Sequence, residues 1–77
     1  MKTLNIKLSS IEDVRNFVNT VSKYTVDMDL HSGRYVVDAK SLLAIFSLDL
    51  LQPIKVIIHT DGEIADKVIE EIKKYII

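Results

Sequence analysis

Two histidines are the first side chains in this 77-residue chain that could carry chemistry. His31 and His59 are its only imidazoles, and an imidazole can accept a phosphoryl group or bind a metal ion. His31 stands just before a Ser-Gly turn, and His59 ends an apolar run that leads into a helix. The element order described below places them at opposite ends of a sheet. We therefore expect no joint metal site and interpret both as exposed side chains at strand ends.

Asp27 and Asp29 are a pair of carboxylates that could act together on a ligand. They are two residues apart, which puts them on one face of a strand. No base or set of metal ligands stands at a suitable spacing, so the pattern predicts a solvated face. The chain also has no cysteine, no glycine-rich phosphate loop and no spacing typical of a catalytic triad. We expect no cofactor, no metal and no enzymatic activity.

Ser41 is the main candidate for a functional residue. It follows Ala39-Lys40 and precedes an apolar segment, residues 42–48, so it is placed to cap a short helix. A serine at this position can also accept phosphorylation well, because the phosphate lies at the positive end of the helix. The sequence leaves two interpretations open, a phosphorylation site or a cap that only stabilises the helix.

The short helix after Ser41 is apolar on almost every side, and a helix of this length cannot bury all of its faces. Leu42, Leu43 and Phe46 are therefore candidates for an exposed surface that binds a protein partner. The alternative is that these side chains pack under the edge of the sheet or against a second copy of the chain. An oligomer thus stays open as an alternative.

The N-terminal part of the chain predicts a strand followed by a helix. Residues 3–8 alternate between apolar and polar side chains, which is typical of a half-buried strand. Ser9 and Glu12 stand at the spacing of a capping box, which predicts the start of the helix. The buried stripe of this helix is expected to contain Ile11, Val14, Phe17, Val18 and Val21.

The remainder predicts three more strands and two more helices. Strands are expected over residues 25–31, 34–38 and 54–58, with Gly33 in the turn between the first two. Thr60 and Glu63, again at capping-box spacing, predict the start of the final helix. Its stripe is expected to contain Ile64, Val68, Ile72 and Tyr75.

The predicted element order is therefore β-α-β-β-α-β-α. Alternating strands have one buried face, which favours an α+β fold in which helices cover one side of the sheet. We predict an open-faced β-sandwich with a four-stranded, mostly antiparallel sheet.

Length and charge restrict the class of protein further. A chain of 77 residues allows one domain, residues 1–77. The net charge is -1 and no basic run is present, so we expect neither nucleic acid nor an anionic membrane surface as a partner. No apolar segment is long enough to span a bilayer, and the N-terminus lacks the apolar region of a signal peptide. We therefore expect a cytoplasmic protein.

Residues 36–48, V-V-D-A-K-S-L-L-A-I-F-S-L, resemble the segment V-N-A-K-S-I-M-G-L-M-S-L of the HPr family. This family supplies the phosphocarrier of the bacterial sugar phosphotransferase system, and the predicted element order is similar to its fold. The resemblance implies that Ser41 matches a serine phosphorylated by an ATP-dependent kinase in many Gram-positive bacteria. It also implies that Leu42, Leu43 and Phe46 match positions of the partner-binding surface.

The segment between the first strand and the first helix departs from this family. Working phosphocarriers have G-L-H-A-R-P there, with a phosphoryl-accepting histidine at the helix N-terminus and an arginine beside it. Residues 8–14 of this chain read L-S-S-I-E-D-V. Glu12 and Asp13 place negative charge where a phosphate would sit. We predict that the active-site histidine is missing and that the chain is not a phosphohistidine carrier.

Three functions remain open from the sequence. The first is an HPr-like regulatory or interaction protein, read by a serine kinase or by phosphotransferase components through the Ser41 helix. The second is a divergent phosphocarrier that uses another acceptor, such as His31 or His59. The third is a structural or oligomeric module that keeps only the fold.

Overall fold

The computed structural model describes residues 1–77 and contains four strands and three helices. The strands are β1 (Lys2–Ile6), β2 (Met28–Ser32), β3 (Tyr35–Asp38) and β4 (Ile54–Ile58). The helices are α1 (Ile11–Val21), α2 (Leu42–Phe46) and α3 (Gly62–Ile72), and a 3-10 turn, Lys73–Tyr75, follows α3. The predicted order β-α-β-β-α-β-α is confirmed.

The sheet has the strand order β1-β4-β2-β3, and every neighbouring pair is antiparallel. One row across it joins residues that face the helices, Leu4, Val56, Leu30 and Val37. The next row along the strands faces away from the helices and joins Thr3, Ile57, Asp29 and Asp38. Helices therefore cover one side only, which confirms the predicted α+β open-faced sandwich.

The core fills the space between the covered face of the sheet and the helices. It contains 17 buried apolar residues, among which Phe17 of α1 and Tyr75 make an edge-to-face aromatic contact at 6.0 Å. Tight packing of this kind is the main source of stability in a chain of this length. None of the helices combines the length and the apolar character that crossing a membrane requires.

The start of α1 lies one residue later than predicted. Ser10, not Ser9, is the N-cap: its Oγ accepts the backbone N–H of Asp13 at 3.0 Å. Asp13, not Glu12, completes the reciprocal arrangement, since its Oδ2 accepts the N–H of Ser9 at 3.0 Å. Ile11 consequently occupies the first helical position and is 66% exposed, so its prediction as a stripe residue was wrong.

The start of α3 also differs from the prediction. Asp61, not Thr60, is the N-cap residue, and its side chain makes no cap hydrogen bond. Its carboxylate pairs with the N-terminal ammonium instead, which lowers the pKa of Asp61. The buried stripe of α3 contains Ala65, Val68 and Ile72, whereas Ile64 is exposed, against expectation.

Candidate functional site

Ser41 begins α2 as its N-cap, in agreement with the sequence. Its backbone is extended, and its Oγ accepts the N–H of Ala44 at 3.3 Å. The two preceding residues hold it in place. Ala39 is fully buried and donates its N–H to the carbonyl of Met28 at 3.0 Å. Lys40 donates from Nζ to the carbonyl of Tyr24 at 2.6 Å, which ties this loop to the end of α1.

A polar cluster continues from Tyr24 to α3. The Tyr24 hydroxyl and Lys23 both donate to the carboxylate of Glu71, the lysine at 2.8 Å. The bond from Lys23, followed by that from Tyr24, lowers the pKa of Glu71. The bond to Glu71 raises the pKa of Tyr24, and partial desolvation and the negative charge of the carboxylate act in the same direction. Through Lys40 and Tyr24, these hydrogen bonds connect the loop before Ser41 to α3.

The three predicted surface residues of α2 divide between two environments. Leu43 is 83% exposed and Phe46 is 39% exposed, whereas Leu42 is half-buried and packs against the core. Ile45 is the only residue of α2 that is fully buried. The exposed pair gives α2 an apolar outer surface, as such a short helix requires.

A groove of about 680 Å³ lies between α1 and α2. On one side Leu42 lines it, and on the other lie residues of the exposed face of α1. These α1 residues include Ile11, Arg15 and Asn19, none of which the sequence analysis identified as functional. Their spacing of four residues marks one helix face, and that spacing was the available signal.

Lys7 connects the loop after α2 to the segment between β1 and α1. Its Nζ donates to the carbonyl of Leu50 at 3.1 Å and to that of Leu51 at 2.6 Å. Both carbonyls belong to the turn after α2, and the ammonium group satisfies the two acceptors together. These bonds hold the segment before α1 and the turn after α2 together.

The N-terminus of α1 contains no imidazole. Ser10, the N-cap, and Asp13 satisfy donors on either side of the helix start, and Glu12 adds a second carboxylate in the first turn. Neither histidine is close to this helix end in sequence. In the sheet, His31 lies opposite Lys55, which in turn lies opposite Asn5 of β1. The helix dipole is therefore already matched by negative side chains of the chain itself.

The second histidine lies at the other end of β2. The backbone N–H of His59 donates to the carbonyl of Asp27 at 3.0 Å. His59 therefore lies at the end of the sheet opposite His31, as predicted. Its Nε2 is 2.7 Å from Oδ2 of Asp29. The expectation that Asp29 has no partner was therefore wrong, since strand pairing brings in a base from β4.

The His59 corner is a shallow, polar cleft on the open face of the sheet. Asp27, Asp29, Asp38 and His59 line it, with a volume of about 410 Å³. Three carboxylates around one imidazole make this a negative environment. No group of three or more such side chains is arranged to hold a metal ion.

A protein-family model described as the phosphorylation site of the PTS HPr component matches residues 14–77. The matched segment begins inside α1, just after the capping residues, and includes Ser41. No curated protein sequence matches the chain significantly.

The chain is similar to solved structures that include the following three. HPr-C-His from Thermoanaerobacter tengcongensis has a TM-score of 0.78 and 25% identity, over 96% of this chain and 89% of that one. The histidine-containing phosphocarrier protein of a Mycoplasma has a TM-score of 0.74 and 15% identity, over 95% and 89%. The phosphocarrier protein HPr from Bacillus anthracis has a TM-score of 0.72 and 19% identity, over 99% and 96%. The last two show a shared fold.

Proposed function

The chain belongs to the HPr family of the phosphotransferase system, and from this premise we propose that it is a regulatory, protein-interacting member without a phosphohistidine. In this proposal Ser41 is the residue that is modified. Leu42, Leu43 and Phe46, together with the groove beside α1, form the surface that partners contact. The partners are a serine kinase or phosphotransferase components, and the protein acts in the cytoplasm.

The observation that carries the proposal is the chemistry at the N-terminus of α1. Phosphocarriers place their histidine at this helix end, and this chain has the cap Ser10 with Glu12 and Asp13 in the first turn. A phosphoryl group there would face both carboxylates. Two like charges about 4 Å apart repel by roughly 1 to 4 kcal/mol between water and a protein surface. The local charge therefore opposes the family's carrier chemistry.

The N-terminus of α2 offers a phosphate more favourable surroundings. No acidic side chain lies in its first turn. Ser41 makes one side-chain cap bond, at 3.3 Å, and its side chain is half-exposed. A phosphate adds a charge of about -1.5 to -2 and three strong acceptor oxygens, which suit the positive end of a helix.

Modification of Ser41 would also act directly on the neighbouring surface. Leu42 follows Ser41 and lines the groove, and Leu43 is the most exposed apolar side chain of α2. A new negative charge at the rim of this apolar surface would select between partners by charge complementarity. Arg15 is the one cationic side chain that lines the groove, and Glu12 is its one carboxylate.

Intact mass spectrometry after incubation with ATP and an HPr serine kinase tests the proposal. We expect a mass gain of one phosphate in the wild type and none in Ser41→Ala. Ser10→Ala is the matched control, because it removes the other N-cap serine and should be labelled as the wild type is. No labelling, with authentic HPr labelled in the same tube, would reject Ser41 as the modified residue.

A carrier assay tests the other half of the proposal. Incubation with phosphoenolpyruvate and the first enzyme of the phosphotransferase system should give no acid-labile phosphate. If the wild type is labelled and the label persists in both His31→Ala and His59→Ala, the chain carries phosphate on another residue, and the proposal of a non-carrier is rejected. Label lost in only one of them would identify that histidine as the acceptor and favour the divergent phosphocarrier.

A further inference from the structure

The two edge strands of the sheet, β1 and β3, differ in whether another segment of the chain pairs with their outer side. On the outer side of β1, Ile6 pairs with Ile76, and the N–H of Lys7 donates to the carbonyl of Tyr75 at 2.8 Å. The N–H of Ile77 donates to Asn5 at 3.1 Å. The C-terminal residues thus cover the β1 edge. No corresponding segment pairs with the outer side of β3.

The outward backbone groups of β3 can be assigned from the pairing. Ala39 donates its N–H toward β2, to Met28, at 3.0 Å. Alternate residues of an antiparallel strand point their backbone groups to the same side, so Val37 and Tyr35 also face β2. Val36 and Asp38 face outward. The carbonyl of Asp38 accepts the N–H of Ser41 at 3.1 Å, whereas no bond from outside the sheet reaches Val36.

The exposed edge is apolar at its centre. Tyr35 is 65% exposed and Val36 is 57% exposed. Edge strands of monomeric proteins are commonly protected by lysine, proline, a bulge, other charges or short length. β3, with the sequence Tyr-Val-Val-Asp, has no lysine, proline or bulge, and its protection is limited to its length of four residues and the charge of Asp38 at its end. A free apolar edge of this kind is a template for pairing with another strand.

The charges at the two ends of the edge identify the other strand. Arg34 precedes β3 and Asp38 ends it, and neither forms an ion pair in the chain. In an antiparallel pair of two identical edges centred on Val36, Arg34 of each copy lies opposite Asp38 of the other. The edge is therefore complementary to itself in charge and in backbone direction.

Asp38 also lacks a cation within its own chain. In the sheet it lies directly opposite Asp29, and like charges in this arrangement are unfavourable. His59 contacts the Asp29 carboxylate, not Asp38. A guanidinium from outside the chain would supply the missing positive charge.

We propose that β3 is a self-association edge, through which a second copy of this chain extends the sheet to eight strands by antiparallel pairing of Val36 with Val36. The two Val36 residues exchange two backbone hydrogen bonds, and two Arg34–Asp38 pairs flank them. The residues that form the contact are Arg34, Val36 and Asp38, and Leu42, Leu43 and Phe46 are not among them. Edges of four residues bury little area, so the association is weak.

Sedimentation velocity from about 10 µM to about 1 mM tests the association. We expect a concentration-dependent shift from monomer to dimer. Arg34→Glu places two carboxylates at each end of the edge and should lower the association constant about tenfold or more. Lys55→Glu is the matched control, because it makes the same reversal of charge on the interior strand β4 and should leave association unchanged.

Two further variants make the result specific to this edge. Asp38→Lys should also weaken association by itself, and an equimolar mixture with Arg34→Glu should restore it, because both charge pairs are then attractive. Val36→Pro removes the outward N–H without removing a bond to β2, and should abolish association while the circular dichroism spectrum is retained. A monomer at 1 mM would overturn the proposal. So would a dimer that is insensitive to Arg34 and Val36 and is lost in Leu43→Glu.

Discussion

The N-termini of α1 and α2 are both capped by a serine, but they differ in the negative charge and in the number of cap hydrogen bonds around that serine. Ser10 and Ser41 both adopt extended backbone as N-caps and both accept an N–H from three residues further along. At α1 the arrangement is reciprocal, because Asp13 accepts the N–H of Ser9 in return, and Glu12 adds further negative charge. At α2 the cap bond is a single one of 3.3 Å, with no acid in the first turn.

In the proposed function, this difference exchanges phosphoryl transfer at the start of α1 for modification at the start of α2 within one fold. At the N-terminus of α1, Ser10 and Asp13 accept backbone N–H groups, and the carboxylates of Glu12 and Asp13 balance the positive end of the helix dipole. The first turn of α2 contains no acid, although Asp38 accepts the backbone N–H of Lys40 just before it at 2.9 Å, and an exposed apolar surface lies beside this end. The fold supplies both helix starts, and in the proposed function the few side chains around each of them decide which start takes a phosphate.

The largest effect is expected from removing the buried anchor of α2. Ile45 is its only fully buried side chain, whereas Val14, Phe17 and Val21 all anchor α1. Ile45→Ala should cost about 2 to 5 kcal/mol in the free energy of unfolding, measured by urea denaturation. The exposed control Leu43→Ala should change it by less than about 0.5 kcal/mol. Equal effects would show that α2 is not held by Ile45.

Removing each N-cap serine should lower the free energy of unfolding by a smaller amount than Ile45→Ala does, and by a different amount at each helix. Ser10→Ala breaks the cap bond of a reciprocal arrangement and should cost about 1 to 2 kcal/mol, whereas Ser41→Ala should cost about 0.5 kcal/mol. Urea denaturation of both variants under identical conditions measures the difference. Equal costs for Ser10→Ala and Ser41→Ala would contradict the stronger capping that we assign to the start of α1.

Replacing each serine by a negative cap should sharpen the comparison. An aspartate caps a helix as well as serine does, so the added charge is the variable. Ser41→Asp should stabilise the fold by about 0.3 to 1 kcal/mol at low salt, and the gain should fall as salt is raised. Ser10→Asp lies beside Glu12 and Asp13 and should give no gain. Stabilisation of both variants would contradict the charge argument at α1.

The smallest effect concerns the polar cluster behind the Ser41 loop. Because the pKa of Glu71 is lowered in the folded chain, its contribution to stability is complete above the ordinary value of 4.5 and is lost as pH falls through the lowered value. Because the pKa of Tyr24 is raised from 10.0, its contribution is lost as pH rises through the higher value. Glu71→Gln should flatten both limbs of a stability–pH profile.

Glu70→Gln is the control for this profile. Glu70 contacts Lys73 on the surface and has no bond to Tyr24 or Lys23. The alkaline limb should therefore stay as in the wild type. A profile changed equally by both substitutions would assign the effect to net charge and not to the cluster.

The fold followed from periodicity, whereas details of the site depended on geometry that periodicity does not contain. Residues 9–13, S-S-I-E-D, contain two overlapping capping frames, and only the path of the backbone after β1 selects Ser10 with Asp13. That choice of frame also decides that Ile11 is exposed. Ser41 was placed correctly because its apolar helix admits a single frame.

Contacts between distant strands could not be read from the chain. Asp29 and His59 come together because β4 lies next to β2, and the strand order β1-β4-β2-β3 is a property of the assembled sheet. The exposed β3 edge has the same origin. Local pattern predicted that residues 34–38 form a strand, but not which strand of the sheet would stay without a neighbour.

The central place of β4 also orders the folding of the chain in time. β2 and β3 are joined by a short turn at Gly33, so their pairing closes a small loop and costs little entropy. Among the strands, β1 pairs only with β4, and the pair of Leu4 with Val56 closes a loop that contains most of the chain. We expect substitutions in the β2–β3 hairpin to slow folding and substitutions in β1 to speed unfolding, so that β1 is the last of the four strands to pair.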